Sequence, residues 1–124
     1  MTVDSMSEII AACNALEDKK AEDLRILHLG ERSSITDYYV IASGNSTPHL
    51  KALKNNLVQA LKEKGISINA ADDNAESGWL VIDAYDFMVH LFLPEQRAHY
   101  GLEALWKDAE AMAPSELEQQ LQTA

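Results

Sequence analysis

Residues 79–93 constrain the fold more than any other stretch of the chain. Two apolar runs, Trp79–Ala84 and Phe87–Leu93, are separated only by Tyr85-Asp86. Runs of this kind, rich in Val, Ile, Leu and Phe and broken by two residues, read as the paired strands of a hairpin. A two-residue loop sets the register: Asp83 opposite Met88, Val81 opposite His90, Trp79 opposite Phe92. Side chains alternate along a strand, so these six share one face. The other face carries Leu80, Ile82, Ala84, Phe87, Val89 and Leu91. It is wholly apolar and must be core. The first face mixes Trp, Met and Phe with Asp and His. A face that is neither cleanly core nor cleanly solvent is where a partner docks.

The rest of the chain is long enough to bury that core. With 124 residues, 47% hydrophobic and 24% charged, it fits one ordinary globular domain. The single Cys13 allows no internal disulfide, which fits a reducing compartment. MTVDSMSEII carries no basic region followed by an apolar stretch, so no signal peptide is expected. No apolar run approaches the ~18 residues of a membrane span, so no membrane is expected and the cytoplasm is the default.

Charge is unevenly placed. Residues 1–64 carry nine acids and eight bases, whereas residues 65–124 carry eleven acids and two bases. Phosphate contacts need clustered Lys or Arg, so direct sequence-specific nucleic-acid binding is not expected. An acidic half suits a basic protein partner; solubility is the plainer explanation of the charge by itself.

Along the chain, Ser5 and Glu8 form a capping box, and Ile9, Ile10, Cys13 and Leu16 follow at helical spacing, predicting a helix over 6–18. Leu24–Leu29 and Asp37–Ala42 read as strands. After the Ser43–Ser46 turn, Ser46 or Thr47 caps a helix with Pro48 in its first turn. Leu50, Leu53, Leu57 and Leu61 are its buried stripe, and Gly65 ends it. A short third strand at Ile66–Ala70 and an acidic loop at Asp72–Ser77 precede the hairpin. Pro94 opens a short helix to Tyr100, and Leu102–Met112 continues helically after Gly101. Pro114 breaks it, and Ser115 and Glu118 form a capping box ahead of a short polar tail. The order α-β-β-α-β-β-β-α predicts a single α/β domain over 1–112, a mixed five-stranded sheet flanked by helices, and a tail over 113–124.

Catalytic chemistry is hard to find in this pattern. The Ser43-Gly44-Asn45-Ser46 turn before a helix is a weak phosphate signal and a common connection. Strand, Gly-Ser turn, helix and acidic strand together resemble the nucleotidyltransferase arrangement, whose chemistry needs convergent carboxylates for Mg²⁺. Adjacent Asp72 and Asp73 would diverge on a strand, and Asp83 and Asp86 flank a turn. No catalytic, cofactor-binding or metal residue is therefore expected. His28, His49, His90 and His99 are scattered; His90 is either a binding residue or an imidazole bonded to a neighbour such as Asp83. Cys13 lies on an apolar helical stripe, as packing. Trp79 reads as core under a covering helix or as an interface anchor, with the docking face favoured.

The segments SSITDYYVIASGNS (Ser33–Ser46) and GWLVIDAYDFMVHLFLPEQRAHYGLEALW (Gly78–Trp106) resemble the ribosomal silencing factor family, also called the Iojap or YbeB group. The likeness runs from the first helix through Trp106. It implies a nucleotidyltransferase-like fold without the catalytic carboxylates, and a non-enzymatic function. The family binds the large ribosomal subunit through its ribosomal protein L fourteen, blocks joining of the small subunit and represses translation when nutrients are scarce. Plant and mitochondrial relatives act on organelle ribosomes, sometimes in subunit assembly, and relatives can dimerise when free. Carried over by position, the partner-binding residues are Trp79, Asp83, Asp86, His90, Glu95 and Tyr100. Met88 and Phe92 join them from the hairpin face. The family usually has Gly where this chain has Tyr85. A bulge there would slip the register by one and exchange the two faces.

Overall fold

The computed structural model describes residues 3–30, 33, 36–107 and 109–123. Its centre is the strand pair that the sequence leaves implicit. β2 (Tyr38–Ser43) is buried along its whole length and runs parallel to β5 (Phe87–Phe92), with Val40 beside Val89 and Ile41 beside His90. A strand with neighbours on both sides and cover on both faces needs side chains that pack everywhere, and the β-branched and aromatic Tyr-Tyr-Val-Ile run supplies them. β1 (Glu22–His28) lies antiparallel beside β2, and β4 (Trp79–Asp83) lies antiparallel beside β5. The sheet is mixed and has six strands among the described residues, in the order β3-β4-β5-β2-β1-β6.

The hairpin register holds as expected: Trp79 pairs with Phe92, Val81 with His90, and Asp83 with Met88. Tyr85 occupies the position that favours Gly and takes a φ of +67°. Asp86 does not share that sign, so this is not a type I′ turn. Three hydrogen bonds hold the strained residue. The Ala84 carbonyl accepts the Asp86 N–H at 2.9 Å, the Asp83 carboxylate accepts the Tyr85 N–H at 2.9 Å, and the Thr36 hydroxyl donates to the Tyr85 carbonyl at 3.2 Å.

α2 (Thr47–Glu63) begins at Ser46, whose hydroxyl accepts the His49 N–H, and buries Leu50, Leu53, Leu57 and Leu61. α1 (Val3–Asp18) starts earlier than the sequence pattern indicates. Ser5 therefore sits inside the helix instead of capping it, and its hydroxyl donates to Asp86 at 3.0 Å. β3 is shorter than expected, only Ala70–Ala71. Ile66 and Ile68 still pack against the core, but without a strand partner.

The larger correction lies at the C-terminus. α3 (Pro94–Tyr100) ends at left-handed Gly101, and α4 covers only Leu102–Leu105. The expected helix to Met112 gives way to β6 (Glu110–Met112), which pairs antiparallel with β1. The outer edge of β1 would otherwise present unpaired backbone groups, and a short strand with charged Glu110 closes it. The expected tail over 113–124 is helical where the structure describes it. Pro114–Thr123 form α5, capped by the Glu116 carboxylate accepting the Ala113 N–H at 3.3 Å. The expected Ser115–Glu118 pair does not provide that cap. Leu117 is fully buried in the main core.

That main core lies on one face of the sheet, where α1, α2 and α5 cover Ile26, Val40, Leu80, Ile82, Val89 and Leu91. Cys13 belongs to it. Burial, with Glu17 and Glu118 adding to it, pushes its thiol up to about 12, so it stays protonated and inert. The opposite face holds a smaller cluster of Leu27, Leu29, Tyr39, Ile41 and Phe92, partly covered by Trp79, Met88, Leu102 and Trp106.

Candidate functional site

The second face owes its shape to the segment that follows β5. Leu93 N–H donates to the Gly78 carbonyl at 3.0 Å, which brings the start of α3 alongside the start of β4. Gly78 has a φ of +78°, and a Cβ there would lie 2.6 Å from Gln96 Cγ. A side chain there would have to displace that of Gln96, and the positive φ favours glycine as well. Arg97 then fixes the helix. Its Nε donates to Glu103 at 2.7 Å and its Nη1 to the Ser43 hydroxyl at 2.9 Å, joining α3, α4 and the end of β2. Sequence reasoning missed this latch. Its one signal is that Arg97 is among only two bases in the acidic half.

Held there, Tyr100 meets Trp79 with ring centroids 4.6 Å apart, and Trp79 stacks on Phe92 at 5.1 Å. The Trp79 indole N–H donates to His90 Nδ1 at 3.1 Å. Tyr39 stands edge-on to His90 at 4.4 Å and to Trp106 at 6.0 Å. The result is one aromatic cluster built from β2, β4, β5, α3 and the end of α4. Tyr39 and Trp106 are members that sequence reasoning did not single out.

The cluster divides the expected binding residues by depth. Trp79 and Met88 are half-buried and Tyr100 is 52% exposed, so all three reach the surface. Phe92 is fully buried and His90 only 4% exposed. As direct contacts these two are corrected: α3 and the rings of Trp79, Tyr39 and Tyr100 cover them. They support the face from beneath. Burial drives the His90 pKa down to about 4, so the ring is neutral. Its partner is Trp79, not Asp83. The Asp83 carboxylate instead accepts from Tyr85 N–H and from Asn69 Nδ2 at 3.0 Å, which makes it first a brace for the turn. Asp86 lies at the hairpin tip with its carboxylate on Ser5, apart from the aromatic cluster. Glu95 is exposed in the first turn of α3.

Several of the remaining polar residues have structural employment. Asp72 accepts the Val81 N–H at 3.0 Å. Asp73 pairs with Lys54 at 2.7 Å, and that lysine lowers its carboxyl pKa. His49 accepts the Asn45 N–H at 2.9 Å through Nδ1 and reaches the Lys19 carbonyl at 2.7 Å through Nε2. This ties the end of α1 to the start of α2. Among the described residues, no three His, Cys, Asp or Glu side chains gather as a metal site would require. Among the same residues, no helix is long and apolar enough to cross a membrane.

A family model described as "Ribosomal silencing factor during starvation" matches residues 2–124. The chain belongs to the ribosomal silencing factor family. A ribosomal silencing factor of Halalkalibacterium halodurans is 39% identical over 98 residues, which are 79% of this chain and 84% of that protein. A crystal structure of a Chromobacterium violaceum protein, 36% identical, matches with a TM-score of 0.77 over 86% of this chain and 88% of that one. The Mus musculus protein named mitochondrial assembly of ribosomal large subunit protein 1 is 35% identical over 73% of this chain, a match spanning 41% of its own length. The silencing-factor match runs past Trp106, where the sequence resemblance ends, and takes in β6 and α5.

Proposed function

We propose that this silencing factor acts without catalysis, by docking on the large ribosomal subunit through ribosomal protein L fourteen and standing in the path of the small subunit. Translation then falls, above all when nutrients are limiting. The observation that carries this reading is the Trp79–Met88–Tyr100 surface. It is an apolar patch on one face of the sheet that the chain's own helices cover only in part. Asp83 stands opposite Met88 at one end of it, exposed Glu95 lies in the first turn of α3, and Trp79 to Asp83 spans roughly 13 Å of strand. Partly desolvated Trp and Tyr supply contact energy, and the acidic rim, with Asp86 at the hairpin tip, steers a basic ribosomal protein toward it. The body of the domain supplies the steric block. The protein works in the cytoplasm, and its exposed apolar face permits a homodimer when the protein is free.

Sedimentation of purified subunits through sucrose, with and without the protein, tests this. Comigration with large subunits and fewer joined ribosomes supports silencing, and binding should weaken as salt rises. Protein left at the top of the gradient with joining unchanged defeats it. The name of the mouse relative favours a second reading, assembly of the large subunit through the same face. Precursor ribosomal RNA accumulating in a deletion strain would select that reading over silencing.

A further inference from the structure

One part-buried hydrogen bond decides how Trp79 faces outward. An indole nitrogen only donates, so His90 Nδ1, 3.1 Å away, must be a bare acceptor, and the proton of the neutral ring sits on Nε2. Nε2 is buried and has no hydrogen-bond partner among the described residues. The imidazole is held edge-on to Tyr39 and nearly parallel to Phe92, at 6.3 Å and 13°. A buried ring with an unsatisfied donor is costly. A phenyl ring at this position would avoid that cost. What histidine offers here, and phenylalanine lacks, is the acceptor at Nδ1. The one donor of Trp79 is thereby used inward.

We propose that His90 is the positioning residue of the docking face: its Nδ1 anchors the Trp79 indole so that the ring presents hydrocarbon, not its N–H, to the partner. The matching group on the partner is then an aliphatic side chain or a cation over the ring, and not a hydrogen-bond acceptor. This inference rests on reading the Trp79 surface as the docking site.

The test uses the full chain with His90→Phe, His90→Asn and Trp79→Ala. Two quantities are read: the Trp79 indole N–H resonance, assigned with the help of Trp106→Phe, and affinity for purified large subunits. In His90→Phe the resonance should shift and exchange faster with solvent, and affinity should fall roughly fivefold to tenfold. His90→Asn places an amide oxygen near the former Nδ1 and should recover most of both. If the phenyl variant does not fold, His90→Leu takes its place. An unmoved resonance overturns the proposal, as does a moved resonance with unchanged affinity or an Asn variant that recovers nothing. If Trp79→Ala itself binds like the parent, the docking reading fails and the positioning role falls with it. In the other failures the loss caused by Trp79→Ala remains, which separates the two.

Discussion

On one side of the sheet, three helices press leucines, isoleucines and alanines onto strands whose apolar side chains are nearly all buried. On the other side, two short helices cover a cluster of rings and leave Trp79, Met88 and Tyr100 reaching solvent. Both faces come from the same strands, one residue out of phase. The aliphatic face packs without directional demands and supplies stability. The aromatic face spends hydrogen bonds to orient its rings, and it stays unfinished. A sheet can thus hold a closed core and an open aromatic surface in alternate residues.

Substitutions that affect the faces unequally probe this division. Leu57→Ala, in the centre of the covered face, should cost about 3 kcal/mol of unfolding free energy, read by chemical denaturation. The molecules that remain folded should bind large subunits normally. Acid should act on the other face. The folded pKa of His90 lies near 4, below its unfolded value of 6.5. The folded protein therefore binds fewer protons between those limits, and stability rises with pH across them. It is fully present above pH 6.5 and falls by roughly 3 kcal/mol as pH drops through 4. Denaturation curves at several pH values would show it, and His90→Phe should abolish that component.

Trp79→Ala comes next. Binding should weaken by about 2 kcal/mol, while stability falls by only about 1 kcal/mol for the lost stacking on Phe92 and Tyr100. A stability loss equal to that of Leu57→Ala would make Trp79 core and erase the contrast between the faces. The smallest effect is expected at Tyr85→Gly. Relief of the positive φ is offset by the entropy of glycine in the unfolded chain, leaving a gain of roughly 0.5 kcal/mol. A loss instead would mean that the tyrosine side chain contributes more than its backbone strain removes.

Much of this division is legible in the sequence because strand alternation is a strict rule. Leu80, Ile82, Phe87, Val89 and Leu91 declare a core face, and Trp79, His90 and Met88 declare a mixed one. Alternation states which residues share a face but not what lies over it. Phe92 and His90 therefore looked available until Gly78 and Arg97 were seen to bring α3 across them. β6 was illegible for another reason. Glu-Ala-Met carries no strand preference, and it pairs because β1 has an open edge in three dimensions. Leu117 and Leu121 are the two leucines of an otherwise polar stretch, one i,i+4 pair and too little periodicity to mark a core helix.

The parallel pairing of β2 with β5 has a consequence for how the molecule comes into being. The two central strands stand at opposite ends of a long crossover through α2, β3 and β4. A growing chain that ends before Phe87 holds β1 and β2 with no neighbour on the inner edge, because β5, which joins β2 to β4, is missing. Closing so distant a contact is slow and must wait for the second partner. The central pairing of the sheet is thus completed only once β5 has been made, after every earlier strand.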